Sequence, residues 1–174
     1  MRIRNLLLLV LACFIGNACT TRPNDHYTLY LVRHAEKLAS GGNDPALSAA
    51  GMDRAEQLAT WLQDKNLRDI WSSDYRRSRD TAAPLVARLG LTLTLYDPRD
   101  LPALARDLVE NRHNALVVGH SNTTPELASL LCECFIDDMD DSEYERLIVS
   151  SFSGGEVRVE TLTQNTLLPA PASS

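Results

Sequence analysis

Apolar residues recur along this chain with two periods, and the periods alternate. Tyr27 to Val32 is a short β-rich run, and after a loop at Gly41 to Pro45 a helical stripe of Met52, Ala55, Leu58, Ala59 and Leu62 opens at Ser48. Ile70 and Trp71 form a brief strand, and Ala82, Leu85, Val86 and Leu89 repeat at helical spacing until Gly90 ends the helix. Leu91 to Leu95 reads as a third strand. Asp100 then caps a helix with Pro102 in its first turn and Leu101, Leu104, Ala105 and Leu108 facing inward. Ala115 to Gly119 is a continuous apolar run of the kind buried on both faces of a parallel sheet, and Pro125 opens the helix behind it. Leu147 to Phe152 and Glu156 to Leu162 flank Gly154-Gly155 as a hairpin, and a frayed tail follows over residues 166–174. The order β-α-β-α-β-α-β-α-β-β predicts a three-layer α/β/α sandwich with a mostly parallel sheet, whose ligands bind beyond the carboxyl ends of the strands.

The first residues stand outside this alternation. Arg2 and Arg4 precede an uninterrupted apolar run from Leu6 to Ile15, closed by Gly16, Asn17, Ala18 and Cys19, the layout of an export signal. Ten apolar residues are too few to span a bilayer, which needs about 20. The expectation is a signal over residues 1–18, a tether over 19–26 and one domain over 27–165. Cys19 stands where a bacterial lipoprotein carries its lipid, although ordinary cleavage at the same bond suits Gly16 and Ala18 equally well. The chain is thereby expected to be exported to the periplasm and anchored to the envelope at Cys19. Cys132 and Cys134, lacking a His or Cys partner set, make a poor metal site, and Cys134 continues the stripe of Leu127, Leu130 and Leu131, so core packing is expected of them.

Length and charge narrow the function classes. At 174 residues the chain has room for one domain, and 44% hydrophobic with 23% charged residues excludes a disordered or fibrous protein. A net charge of −6 gives no general attraction to nucleic acid, so an anionic substrate has to be held by a local cation cluster.

Three segments carry such a cluster. Arg33-His34-Ala35-Glu36-Lys37 follows the first strand, and Gly119-His120-Ser121-Asn122 follows the most buried one. Ser72-Ser73 through Thr81-Ala82, with Arg76, Arg77 and Arg79, lies at a strand-to-helix junction. Arginines at a helix amino terminus oppose the macrodipole unless an anion binds there. A phosphomonoester dianion needs an in-line nucleophile and preorganised positive charge on its equatorial oxygens. Neutral imidazole at His34 can be that nucleophile, with Arg33, His120 and an arginine of the third segment on the phosphoryl oxygens. With that much fixed cation, no metal or other cofactor is expected.

Together the three segments resemble the histidine phosphatase superfamily, the phosphoglycerate-mutase-like fold, most closely its small exported bacterial members with Arg-His-Ala-Glu-Lys and Gly-His-Ser-Asn. The resemblance implies phosphoryl transfer through a phosphohistidine on His34 and carries the second phosphate-binding arginine onto Arg77. It also suggests Lys37 as an extra phosphate-contacting cation, with Ser121 and Asn122 beside the substrate. The general acid is not fixed by it, because Ser121 stands where some members have an acid directly after the second histidine. Asp97, Asp100 and Glu36 are the candidates, with Asp100 preferred for its place beyond the third strand. The expected partner is a small phosphorylated molecule such as a phosphosugar, with the loop from Leu38 to Leu47 and the acidic segment from Cys132 to Arg146 lining the entrance. Two other readings compete: a phosphate-ligand binder that lacks the acid, and a serine esterase using Ser121 in Gly119-His120-Ser121-Asn122-Thr123. The second is poorly matched, since the fifth position is Thr123 and all four histidines precede Ser121.

Overall fold

A computed structural model describes residues 25–167. Six strands form one sheet: β1 (His26–Arg33), β2 (Asp69–Ser73), β3 (Leu93–Tyr96), β4 (Ala115–Gly119), β5 (Arg146–Ser153) and β6 (Glu156–Thr163), in the order β3-β2-β4-β1-β5-β6. The first four run parallel, and β5 and β6 add an antiparallel hairpin beyond β1. Four helices alternate with the strands, α1 (Ala49–Leu62), α2 (Arg76–Leu89), α3 (Leu101–Asn111) and α4 (Thr123–Cys132), and a short α5 (Gln164–Leu167) follows the hairpin. This is the expected α/β/α sandwich. Its elements begin one residue before the predicted domain and end two after it. The proposed signal, the Cys19 anchor and most of the tether and tail lie outside the described residues.

Period-2 alternation in the strands sorts the core into two layers. Leu29 and Leu31 of β1 pack with Val117 and Ile148 against Leu104, Leu108, Leu127 and Leu131 of α3 and α4. Tyr30 and Val32 face the other way, with Leu116, Val118 and Leu147, against Leu58, Leu62, Ala82 and Leu85 of α1 and α2. Neighbouring residues of β1 thus serve opposite layers, which is why Leu29 to Val32 reads as a continuous apolar run.

The caps follow local chemistry. Ser48 accepts from Gly51 N–H at 3.1 Å to start α1, and Asp100 accepts from Ala103 N–H at 3.2 Å to start α3. Gly90 closes α2 in the left-handed conformation. Gly154 and Gly155 take positive φ in the two-residue turn of the hairpin.

Three expectations about packing need correction. Met52 is 56% exposed, because the inward face of α1 is set by Gly51, Ala55, Leu58 and Leu62 and Met52 lies beside that stripe. Leu130 is likewise exposed on α4. Cys132 and Cys134 are joined in a disulfide and do not fill the core. Glu133 between them is left-handed and ends α4, so Cys134 leaves the helical stripe and stands in solvent.

Candidate active site

Parallel strands gather their carboxyl ends at one edge of the sheet. Arg33 pairs in register with Gly119, and Ser72 with Val118, so the residues just past β1, β2 and β4 meet there. His34 N–H donates to Gly119 O at 2.9 Å, which extends the pairing one residue past the strand. A Cβ on Gly119 would lie 2.9 Å from the hydroxyl oxygens of both Thr123 and Thr124, so only glycine lets α4 start this close to the strand end. Gly51 does the same for α1, whose backbone approaches Glu36 so closely that a Cβ would sit 2.1 Å from its carbonyl oxygen. Thr81 Oγ1 accepts from Ala35 N–H at 2.9 Å while donating to Arg77 O at 2.7 Å, fastening the His34 loop to the first turns of α2.

His34 is 3% exposed. Its Nδ1 lies 2.8 Å from Ala35 O, a carbonyl that can only accept, so Nδ1 carries the hydrogen and Nε2 keeps its lone pair. Burial, reinforced by the charges of Arg77, His120 and Arg33, pushes its pKa down to about 3 even though the bond to Ala35 O works the other way. The ring is neutral across the physiological range, with the Nε2 lone pair free to act. His120 lies 5.4 Å away, ring centre to ring centre, and is also held neutral, with its pKa lowered to about 4 by burial and by Arg77 and Arg33. Ser73 Oγ, bonded to Ser78 Oγ at 3.0 Å, fixes His120 Nε2 at 2.9 Å, and Tyr75 meets the ring edge-on.

The two arginines are built in differently from one another. Arg33 is 5% exposed and sends one terminal nitrogen to the carbonyls of Asp140, Asp141 and Glu143 at 2.8 to 3.2 Å, with its plane over the Tyr144 ring. Its Nε has no hydrogen-bond partner among the described residues. Arg77 lies over the Tyr75 ring, 3.7 Å from an Asp44 carboxylate oxygen, and its buried Nε is likewise without a partner. Donors held in place and left unsatisfied are what a phosphoryl anion would complete. The other two arginines of the segment are neutralised locally, Arg76 by Asp80 and Arg79 by Asp74.

These groups surround a cavity of about 380 Å³ that also takes in Lys37, Ser121 and Asn122. The acid candidates fare otherwise. Asp100 does not line the cavity and is occupied as the exposed cap of α3, a role fixed by the helix it begins. Asp97 is turned to Arg99, whose guanidinium holds its carboxyl down at about 2. Glu36 is gripped by the Arg54 guanidinium at 2.7 to 3.0 Å, which keeps it below the usual carboxylate range against the opposing effect of burial. The carboxylate that does line the cavity is Asp141, 3.0 Å from Ser121 Oγ. Nothing in the sequence separated it from Asp137, Asp138 and Asp140 in the same acidic stretch. Ser121 gives its hydroxyl to Asp141 and among the described residues has no histidine partner to serve as the base the esterase reading needs. Among the described residues no group of three or more His, Cys, Asp or Glu is disposed to hold a metal ion.

With the geometry in place, the likenesses to known proteins are informative. Residues 29–101 match the family model of the histidine phosphatase superfamily (branch 1), a stretch that holds Arg33, His34 and Arg77 and ends before His120. The chain is 35% identical over 91 residues to "Probable phosphoglycerate mutase GpmB" of Escherichia coli and of Shigella boydii, 49% of this chain. That alignment spans 41% of the relatives' length, so the chain covers about two fifths of the curated relatives it matches. Among solved structures it resembles the protein histidine phosphatase SixA complexed with tungstate, with TM-score 0.63 and 16% identity over 81% of this chain and 99% of that one. The mycobacterial glucosyl-3-phosphoglycerate phosphatase with inorganic phosphate gives 0.63 and 18% over 83% and 100%. The α-ribazole phosphatase of Shigella flexneri gives 0.63 and 16% over 78% and 96%. At these identities the likeness establishes a shared fold.

Proposed function

We propose that the chain is a histidine phosphatase, a metal-independent phosphomonoester hydrolase that works through a phosphohistidine on His34. One observation carries the reading: a buried, neutral imidazole with its hydrogen committed to Ala35 O, set among Arg33, Arg77 and His120. In the first step the Nε2 lone pair of His34 forms the N–P bond while the bond from phosphorus to the leaving oxygen breaks. Arg33, Arg77 and His120 hold the equatorial oxygens and stabilise charge as it moves. Water then attacks phosphorus in line, orthophosphate leaves, and His34 returns to its neutral form. The matching family model and the phosphatases of the same fold support this reading.

Brief exposure to a ³²P-labelled phosphomonoester followed by acid-free denaturation tests it. Wild type is expected to carry alkali-stable label on His34, and His34→Ala is expected to fold, retain no label and turn over nothing. Equal labelling of both proteins would refute the assignment. Wild type that binds orthophosphate without label or turnover would make the chain a phosphate-ligand binder.

The reading extends to an exported protein whose substrates are small phosphorylated molecules of the envelope, such as phosphosugars. Arg2, Arg4 and the run from Leu6 to Ile15 support export, and Cys19 supports an anchor. Metabolic labelling with palmitate is expected to mark wild type and not Cys19→Ala; unlabelled, released wild type would mean ordinary signal cleavage.

A further inference from the structure

We infer that Asp141 is the proton donor to the leaving group, positioned by Ser121, a role that rests on the proposed phosphohistidine reaction. The inference comes from where the chain places its carboxylates. Asp97, Asp100, Glu36, Asp74 and Asp80 are all committed to an arginine or a helix cap. Asp141 is the carboxylate among the residues lining the cavity. Its side chain is 94% exposed and among the described residues has two contacts: Ser121 Oγ donates to Oδ1 at 3.0 Å, and an Arg33 terminal nitrogen lies 3.6 Å from the same oxygen. Oδ2 is therefore left for a proton and a substrate oxygen.

The backbone around Asp141 explains how an acid on a long loop can be placed. Arg33, rooted at the end of β1, holds the carbonyls of Asp140, Asp141 and Glu143, so one residue clamps both the phosphoryl site and the loop that carries the acid. Ser121 follows His120 directly and reaches the same carboxylate from α4's side of the cavity. The acid thus arrives by a hydrogen bond from the residue after the second histidine, although that residue is itself no acid.

In the proposed step Asp141 carries a proton on Oδ2. As His34 Nε2 bonds to phosphorus, the Oδ2 proton passes to the departing oxygen, giving a neutral alcohol and the Asp141 carboxylate. In the second step the carboxylate takes the proton of the attacking water. Orthophosphate leaves, and both Asp141 and His34 are as they began.

The test compares leaving groups that need a proton with one that does not. β-Glycerol phosphate expels a poor alkoxide, whereas p-nitrophenolate departs nearly unaided, and general acid catalysis supplies about 10²–10⁴-fold. Asp141→Asn is expected to lower kcat/KM on β-glycerol phosphate by about 10²-fold or more. On p-nitrophenyl phosphate it should lose less than about tenfold, with ³²P labelling of His34 and inhibition by orthophosphate retained. Ser121→Ala keeps the acid but loosens it, and is expected to give a smaller loss with the same substrate preference and a displaced basic limb of the pH profile. Equal losses on both substrates, or orthophosphate affinity falling in step with the rate, would mean that Asp141 only holds Arg33 and would overturn the assignment. Undiminished activity on β-glycerol phosphate would overturn it as well. Wild type that neither labels nor turns over would instead remove the underlying phosphatase reading, and the acid with it.

Discussion

The main-chain N–H of His34 donates to the carbonyl of Gly119 at 2.9 Å, joining the two histidine segments 85 residues apart in the sequence at the edge of adjacent strands. This bond fixes His34 relative to His120, the next residue along. The distance between the two rings is therefore set by sheet register and not by loop conformation.

Gly119→Ala follows from that relationship. The added methyl meets two threonine hydroxyls at 2.9 Å, and overpacking of this kind costs about 1–3 kcal/mol. Chemical denaturation is expected to show a lower midpoint with an unchanged slope, and phosphatase activity should fall further than stability because α4 and His120 shift together.

Arg77→Ala removes a donor whose Nε has no partner among the described residues. Loss of such a group from a transition-state clamp costs about 10²–10³ in kcat. Arg77→Lys should recover little, since an ammonium cannot reproduce the planar fork. Steady-state kinetics on p-nitrophenyl phosphate checks both, and near-normal activity of Arg77→Ala would move the role to Arg76 or Arg79.

Acid should destabilise the protein through its two site histidines. Their folded pKa values, about 3 for His34 and about 4 for His120, lie below the unfolded value near 6.5. Between those limits the unfolded chain binds more protons, so stability is complete above about pH 6.5 and declines as pH falls toward 4 and then 3. Urea midpoints at pH 7.5, 5.5 and 4.5 should decrease in that order. His34→Ala should flatten the decline, and a slope identical to wild type would show that His34 titrates normally.

Asp100→Ala separates a cap from a catalyst. Loss of the bond to Ala103 N–H is expected to cost about 0.5–2 kcal/mol in thermal or urea unfolding. Because Asp100 lies away from the cavity, the ratio of activities on β-glycerol phosphate and p-nitrophenyl phosphate should stay that of wild type. A selective loss on the alkyl substrate would return Asp100 to the mechanism.

The sequence by itself determined the sandwich, the order of its strands and helices and the three cation-bearing segments, because these depend on local period and on junction chemistry. Val117, Val118 and Gly119 must be buried on both faces, and His34, Arg77 and His120 stand at strand-to-loop or strand-to-helix junctions whose carboxyl ends a parallel sheet collects at one edge. Only the tertiary structure decided which carboxylate joins them. Asp97, Asp100 and Glu36 are near the motifs along the chain, but Arg99, the α3 cap and Arg54 draw each of them away. Asp141 lies 108 residues from Arg33 in sequence and reaches the cavity because Arg33 grips its backbone. A hydrogen bond between residues so far apart leaves no periodic or compositional trace, since the acidic run around Asp141 reads the same whichever of its members turns inward. The cysteines show the same limit: helical spacing pointed Cys134 into the core, and one left-handed residue, Glu133, turned it out to meet Cys132.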